Sequence, residues 1–221
     1  MYSKYVLTFC FGGPTAANTR NSGMASSDSA LTTNEKILET GLRLFSEKGY
    51  LGATTREIAR EAGITEVTLF RHFPSKEKLL EEVISTYSFL PALKGLLPEI
   101  GNLPYEQALS LIARRFMQTL RLRKDMIRIM NSEMHRHPEK LRKIYQSFIG
   151  ELYRTLASYF AEMQMRGALR DFDAELAGRA LLGGVFSYFN SQMLLQHDID
   201  EAHTERFIQQ FVDIFVRGTL K

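Results

Sequence analysis

The sequence predicts an all-α fold, and three observations predict it. From Thr32 to the end of the chain, apolar residues recur at spacings of three and four, the period of a helix with one buried face. Hydroxyl side chains stand where helices would begin: Thr32 ahead of Glu35, Thr54 ahead of Glu57, and Ser75 after Pro74. At such positions an oxygen can satisfy amide donors that have no partner within the helix. No stretch alternates apolar and polar residues as a half-buried strand does, and no βαβ pattern occurs.

The elements follow in chain order. Residues 33–48 place Ile37, Leu38, Gly41, Leu44 and Phe45 on one face, and Gly49 is the expected stop. Two short helices, 55–61 and 65–73, precede a longer one from Ser75 to about Phe89. Pro91, Pro98 and Pro104, with Gly95 and Gly101, are expected to break the next stretch and mark a domain boundary. Further helices are expected near 105–121, 124–136, 138–166, 173–196 and 202–218. The domains read as 33–92, containing a compact motif at 54–73, and 93–221. Residues 1–32 lack helical periodicity and are rich in Ser, Thr, Ala, Asn and Gly. They are expected to be a disordered tail, or an over-long gene start with the true initiator at Met24. Their apolar patch, Tyr5 to Phe11 behind a lone Lys4, is weak as a secretion signal.

Composition excludes several classes. The 221 residues, 44% hydrophobic and 24% charged, are ordinary for a globular chain and unlike a collagen or a disordered polymer. A single cysteine, Cys10, excludes an internal disulfide framework and any multi-cysteine metal site. No apolar run approaches the roughly 20 residues that span a bilayer, so a soluble, cytoplasmic protein is expected. The net charge of +3 is no argument for nucleic acid: residues 1–32 carry +1, residues 33–90 carry −1 and residues 91–221 carry +3. Any case for DNA must rest on local geometry.

That geometry lies in TTREIAREAGITEVTLFRHF, residues 54–73. Two short helices cross steeply when a small residue lets them approach, a residue tolerant of positive φ makes the turn, and an apolar residue plugs the gap. Ala59, Gly63 and Leu69 stand at that spacing, and Ile58, Ile64 and Phe73 add core contacts. With Leu69 and Phe73 inward, Thr65, Glu66, Val67, Phe70 and Arg71 face outward or lie at the edge. A recognition helix presents its first residues to base edges in the major groove. Thr65 and Thr68 suit bases or phosphates, Val67 suits a thymine methyl, and Glu66 suits a cytosine amine or a place at the edge. Arg56, Arg71, His72 and Lys76 suit phosphate oxygens, as do Thr54 and Thr55 at the start of the motif; Thr54 and Ser75 also read as simple caps.

The strings LFSEKGY, TTREIA, AGI, TLFRHF and SKEKLL, within residues 33–85, resemble the DNA-binding region of tetracycline-repressor-like (TetR/AcrR) regulators. The resemblance implies an amino-terminal three-helix helix-turn-helix domain and a carboxy-terminal helical domain for ligand binding and dimerisation. It also implies a transcriptional regulator, a repressor binding a palindromic operator as a homodimer and released by a small molecule. Phe70 stands where the family usually has tyrosine, Val67 where glycine or alanine is common, and Glu66 where a basic or polar residue is common. Gly41 replaces a usual alanine, a small loss of helix propensity.

The carboxy-terminal half resembles the family less closely, through RGALRDFDAELAGRALLGG near 166–184. Small and apolar residues on its last two helices, Ala177, Leu181, Gly184, Tyr188, Phe207, Phe211, Ile214 and Gly218, are expected at a dimer interface, with an intramolecular core as the plainer reading. Phe116, Met117, Leu120, Met130, Met134, Phe148, Leu152 and Tyr159 are candidates to line an effector pocket or to form plain core. Arg114, Arg115, Arg121, Arg123, Lys124 and Arg128 read as a solvated face or, alternatively, as a site for an anionic effector such as an acyl-thioester. His135 and His137 beside Glu133 and Glu139 are better explained by a surface loop than by a metal site; no metal and no cofactor is expected. Motifs for a serine nucleophile, a phosphate loop or a zinc protease are missing, so no enzyme is expected. The alternative function is a dimeric all-α small-molecule-binding protein without operator recognition.

Overall fold

The cap of the first helix shows how closely local sequence dictates local structure. The Thr32 side chain accepts the Glu35 amide at 3.3 Å while the Glu35 carboxylate accepts the Thr32 amide at 2.8 Å, a reciprocal capping box. The computed structural model describes residues 31–221 apart from residue 137 and residues 196–199. The expected tail, through residue 30, lies outside the described residues.

Ten helices follow among the described residues: α1 (Thr33–Gly52), α2 (Thr55–Glu61), α3 (Glu66–His72), α4 (Lys76–Tyr87), α5 (Phe89–Ile100), α6 (Tyr105–Leu122), α7 (Lys124–Arg136), α8 (Pro138–Met165), α9 (Ala174–Leu194) and α10 (Glu201–Thr219). The described residues form no strand, only an isolated antiparallel bridge between Leu169 and Leu220. None of these helices is long and apolar enough to cross a membrane.

Gly49 interrupts α1 with a φ of 76°, at the position where the sequence predicts a stop. Helices α1–α4 form a head around buried Ile37, Phe45, Ile58, Leu69, Leu79 and Val83. Met126 and Met130 of α7 and Leu141 and Ile144 of α8 complete that core, because α7 packs along α1. The body holds a second core between α5, α6, α8, α9 and α10, with Leu93, Ile112, Phe160, Leu181, Phe189 and Val212 at its centre. Burying each such side chain contributes about 1.5–3 kcal/mol. Gly41 has a packing reason: a β-carbon there would sit 3.2 Å from Val83 of α4, so glycine suits the close approach of α1 and α4.

One expectation is corrected. The proline-rich stretch after Phe89 is not a break but helix α5, whose Phe89, Leu90, Leu93, Leu96 and Ile100 are all buried. Pro91 lies in the first turn, where its missing N–H has no partner to lose, and Pro98, inside the last turn, costs the single bond to the Lys94 carbonyl. Ser88 caps α5 through a hydrogen bond from the Leu90 amide at 3.3 Å, so α4 passes into α5 across a single residue.

Candidate nucleic-acid interface and internal cavity

The turn between α2 and α3 is built as its sequence spacing requires. Ala59 and Leu69 are buried together with Ile58 and Phe73, Ile64 packs half-buried against them, and Gly63 takes a φ of 72°. Gly63 therefore holds a backbone conformation that side chains with a β-carbon resist. Thr54 caps α2 by accepting the Glu57 amide at 3.2 Å. Thr65 caps α3 in the same way, accepting the Thr68 amide at 3.2 Å, and its hydroxyl meets that of Thr68 at 2.9 Å.

With Leu69 and Phe73 sealed inside, the opposite face of α3 is bare. Val67 is 81% exposed, and Phe70, Arg71 and His72 are exposed beside it. Thr65, Thr54 and Arg56 are also exposed, and Thr55 and Thr68 half-buried. An exposed valine on a seven-residue helix gains nothing from folding; it is free to touch something else.

Much of the acidic charge of the head is tied up in ion pairs. Glu61 pairs with Arg43, Glu57 with Lys48 at 2.6 Å, and Glu81 with Lys78 at 2.9 Å. The guanidinium of Arg43 holds the Glu61 carboxyl below its usual range. Glu66 accepts a hydrogen bond from the Thr55 hydroxyl at 2.6 Å, so it braces α3 against α2. Arg56 and Arg71 make no ion pair among the described residues, which leaves positive charge at both ends of the bare face. Lys76 is engaged instead: its ammonium lies 4.5 Å from the centre of the Tyr50 ring and 3.5 Å from the Leu51 carbonyl.

Sequence reasoning missed the joint between head and body. Glu133 of α7 accepts the amides of Tyr50 at 2.6 Å and Leu51 at 3.1 Å. Gly49 makes room for it, since a β-carbon there would collide with the Glu133 carboxylate. The Tyr50 hydroxyl in turn donates to Glu77 of α4 at 2.6 Å, and burial with that carboxylate raises the Tyr50 pKa. Residues more than eighty positions apart meet here, with no local signal to announce them.

A partly open cavity of about 210 Å³ lies between α4, α5, α6, α7, α8 and α9. Phe116, Leu120, Met130, Phe148 and Leu152 line it as the spacing suggests. Met117, Met134 and Tyr159 do not: Met117 and Tyr159 are buried in the body core, and Met134 packs against the head core. Tyr87, Phe89, Arg123, Met126, Asn131 and Tyr145 complete much of the wall. Burial in that apolar setting raises the Tyr145 pKa and lowers that of Arg123.

Two of the residues expected at a subunit interface are corrected by burial. Leu181 is fully enclosed and Ala177 nearly so, because α9 lays that face on α6 and α8. The small residue at Gly184 serves an internal approach as well: the Phe211 ring occupies the space a β-carbon would need. Tyr188, Phe207 and Phe211 form a half-buried stack, with ring centres 4.0 and 5.5 Å apart and planes within 8°. Ile214 beside them is 68% exposed, and Gly218 is half-buried. His137 lies outside the described residues, and the described residues contain no cluster suited to a metal.

Comparison with known proteins places this geometry. Residues 37–83 match the sequence family described as bacterial regulatory proteins, tetR family. Residues 107–218 match the AefR-like transcriptional repressor, C-terminal domain. The HTH-type transcriptional regulator YvkB of Bacillus subtilis is 25% identical over 186 residues, spanning 84% of this chain and 96% of that relative. Among solved structures, a TetR-family transcriptional regulator from Mesorhizobium loti superposes with a TM-score of 0.72 at 26% identity, covering 86% of this chain and 97% of the other. The flavonoid-responsive regulator FrrA does so with a TM-score of 0.65 at 26% identity, covering 85% and 97%.

Proposed function

The chain belongs to the TetR family of bacterial DNA-binding transcriptional regulators, and from that premise we propose a repressor that grips a palindromic operator as a homodimer and lets go when a small apolar or amphipathic molecule fills the body cavity. The observation that carries the reading is the bare face of α3, with Val67 exposed while Leu69 behind it is sealed. Thr65, Val67 and Thr68 offer two hydroxyls and a methyl pair to base edges. Phe70 adds an apolar contact, and Arg56, Arg71, His72 and the hydroxyls of Thr54 and Thr55 set position on phosphates. Lys76 steadies Tyr50 and so acts on the interface from behind. The repressor sense draws on the description of the carboxy-terminal match.

One seven-residue helix reads too few bases for a unique site, so two copies related by a two-fold axis are required. The partly open stack of Tyr188, Phe207 and Phe211, with Ile214 and Gly218, is the face a second copy would cover. The bond from the Thr55 hydroxyl gives the Glu66 carboxylate a bracing place between α2 and α3, which weakens one support of the alternative of a fold without operator recognition. The protein so read acts in the cytoplasm, where the chromosome lies, and regulates rather than catalyses.

Fluorescence anisotropy with DNA from upstream of its own gene, beside a non-specific duplex at the same salt, tests the reading. Saturable binding of two chains per site, preferred well beyond the control and weakening as salt rises, is the expected result. Equal, weak binding to both duplexes, with nothing enriched from a random-sequence pool, would overturn it.

A further inference from the structure

We infer that the body cavity takes an apolar organic acid, a compact ring or chain bearing one carboxylate, and that Arg123 meets its charge. The inference rests on the effector role proposed above and narrows it to a chemistry. The cavity, about 210 Å³, is larger than the ~150 Å³ that holds benzene in a dry protein interior. Its aromatic and aliphatic wall suits a hydrocarbon body of that scale.

Arg123 is the feature such a wall does not explain. Of the six basic residues between 114 and 128 in sequence, it is the one that lines the cavity. Its neighbours are engaged elsewhere: Arg114 grips Glu205, Arg121 donates to Thr204 at 2.7 Å, and Arg128 pairs with Asp125 at 3.3 Å. Arg123 lies half-buried with its carbon Cζ 5.0 Å from the centre of the Tyr87 ring, and its Nε donates to the Tyr87 carbonyl at 3.3 Å. Among the described residues no carboxylate stands within ion-pair distance of it. A cation partly withdrawn from water without a counter-charge carries a desolvation cost, and an incoming carboxylate offsets part of it. The planar guanidinium matches a carboxylate in a way that a neutral amide cannot equal and an amine is repelled by.

The same residue gives occupancy a route outward. Tyr87 is the last residue of α4, so Arg123 holds the carbonyl end of the helix whose other end begins just beyond α3. A carboxylate that draws the guanidinium inward loosens that hold, and a neutral molecule of the same shape does not. Arg123 is thereby both the ligand's counter-ion and a positioning residue for α4, provided the acid binds the two arrangements unequally.

Isothermal titration of the full chain with 4-tert-butylbenzoate, 4-tert-butylbenzamide and 4-tert-butylbenzylamine tests this. The acid should bind about tenfold tighter than the amide or better, and the amine should not bind. Arg123→Met should abolish the acid's advantage over the amide, and Arg123→Lys should keep part of it. Should Arg123→Met fail to fold by circular dichroism, the wild-type ratio and the lysine variant still separate the outcomes. Amide or amine binding as tightly as the acid, or an advantage surviving in Arg123→Met, overturns the inference and leaves the effector cavity standing. Binding of none of the three overturns both.

Discussion

In the head, Phe45, Ile58, Leu69 and Phe73 fill the space between four helices, and the polar chemistry is pushed to the outside; in the body, helices of similar composition stand apart around about 210 Å³ with an arginine in the wall. The contrast follows from what each region must present. A surface that reads base edges needs its atoms held in fixed places, so a small sealed core carries a bare helix. A region that registers a small molecule needs room inside, so part of its potential packing is forgone. Glu133 on the Tyr50 and Leu51 amides, and Arg123 on the Tyr87 carbonyl, add polar holds on the head to the apolar packing of α7 and α8 into its core.

Substitutions at these places break or sharpen the contrast. Leu69→Ala opens a void in the sealed head core and should cost about 2–5 kcal/mol in chemical denaturation, whereas Phe148→Leu in the half-buried cavity wall should cost less than about 1.5 kcal/mol. Gly49→Ala forces a β-carbon against the Glu133 carboxylate at a φ of 76°. It should lower stability by about 1–3 kcal/mol, and hydrogen exchange at the Tyr50 and Leu51 amides should speed up more than elsewhere in the head. Arg71→Ala leaves the fold intact but removes a phosphate partner. Operator affinity should fall similarly across sequences, and the slope of log K against log salt should shrink by about 1.

The smallest expected effect is acidic. The Arg114 guanidinium holds the Glu205 carboxyl below its ordinary value of 4.5. A carboxyl lowered in the folded state adds stability that is present above the unfolded value and lost as pH falls through the folded one. Glu205→Gln should therefore lower the stability to chemical denaturation slightly at neutral pH, by less than about 1 kcal/mol because the pair is partly exposed, and the gap should close below about pH 4.

The two regions were also unequally legible in the sequence. Ala59, Gly63 and Leu69 stand ten residues apart at most, so steric rules at short range fix the turn and, with it, which side chains face out. The caps at Thr32, Thr54, Thr65 and Ser75 are equally local. The prolines misled because Pro91 sits in the first turn of α5, where no bond is lost, and because the buried apolar face of α5 outweighs the one bond that Pro98 removes. In the body, periodicity marks an apolar face but not what lies across from it. Phe116 reaches the cavity while Met117, next in sequence, fills the core. The pattern that put Ala177 and Leu181 at an interface is equally the pattern of an internal contact, and burial on α6 and α8 decides it. The Glu133 joint and the Tyr87–Arg123 contact join positions far apart in sequence, and periodicity holds no trace of them.

The bare face of α3 is the centre of the account, and parallel selection from a random-sequence DNA pool by the wild-type protein and by a Thr65→Ala/Val67→Ala variant tests it most directly. The wild-type chain should enrich a palindrome with half-sites about one helical turn, or a multiple of it, apart. The variant, still folded and dimeric, should lose or change preference at symmetry-related bases in each half-site and keep the spacing. Enrichment of the same bases by both proteins, or of no palindrome by either, would contradict it.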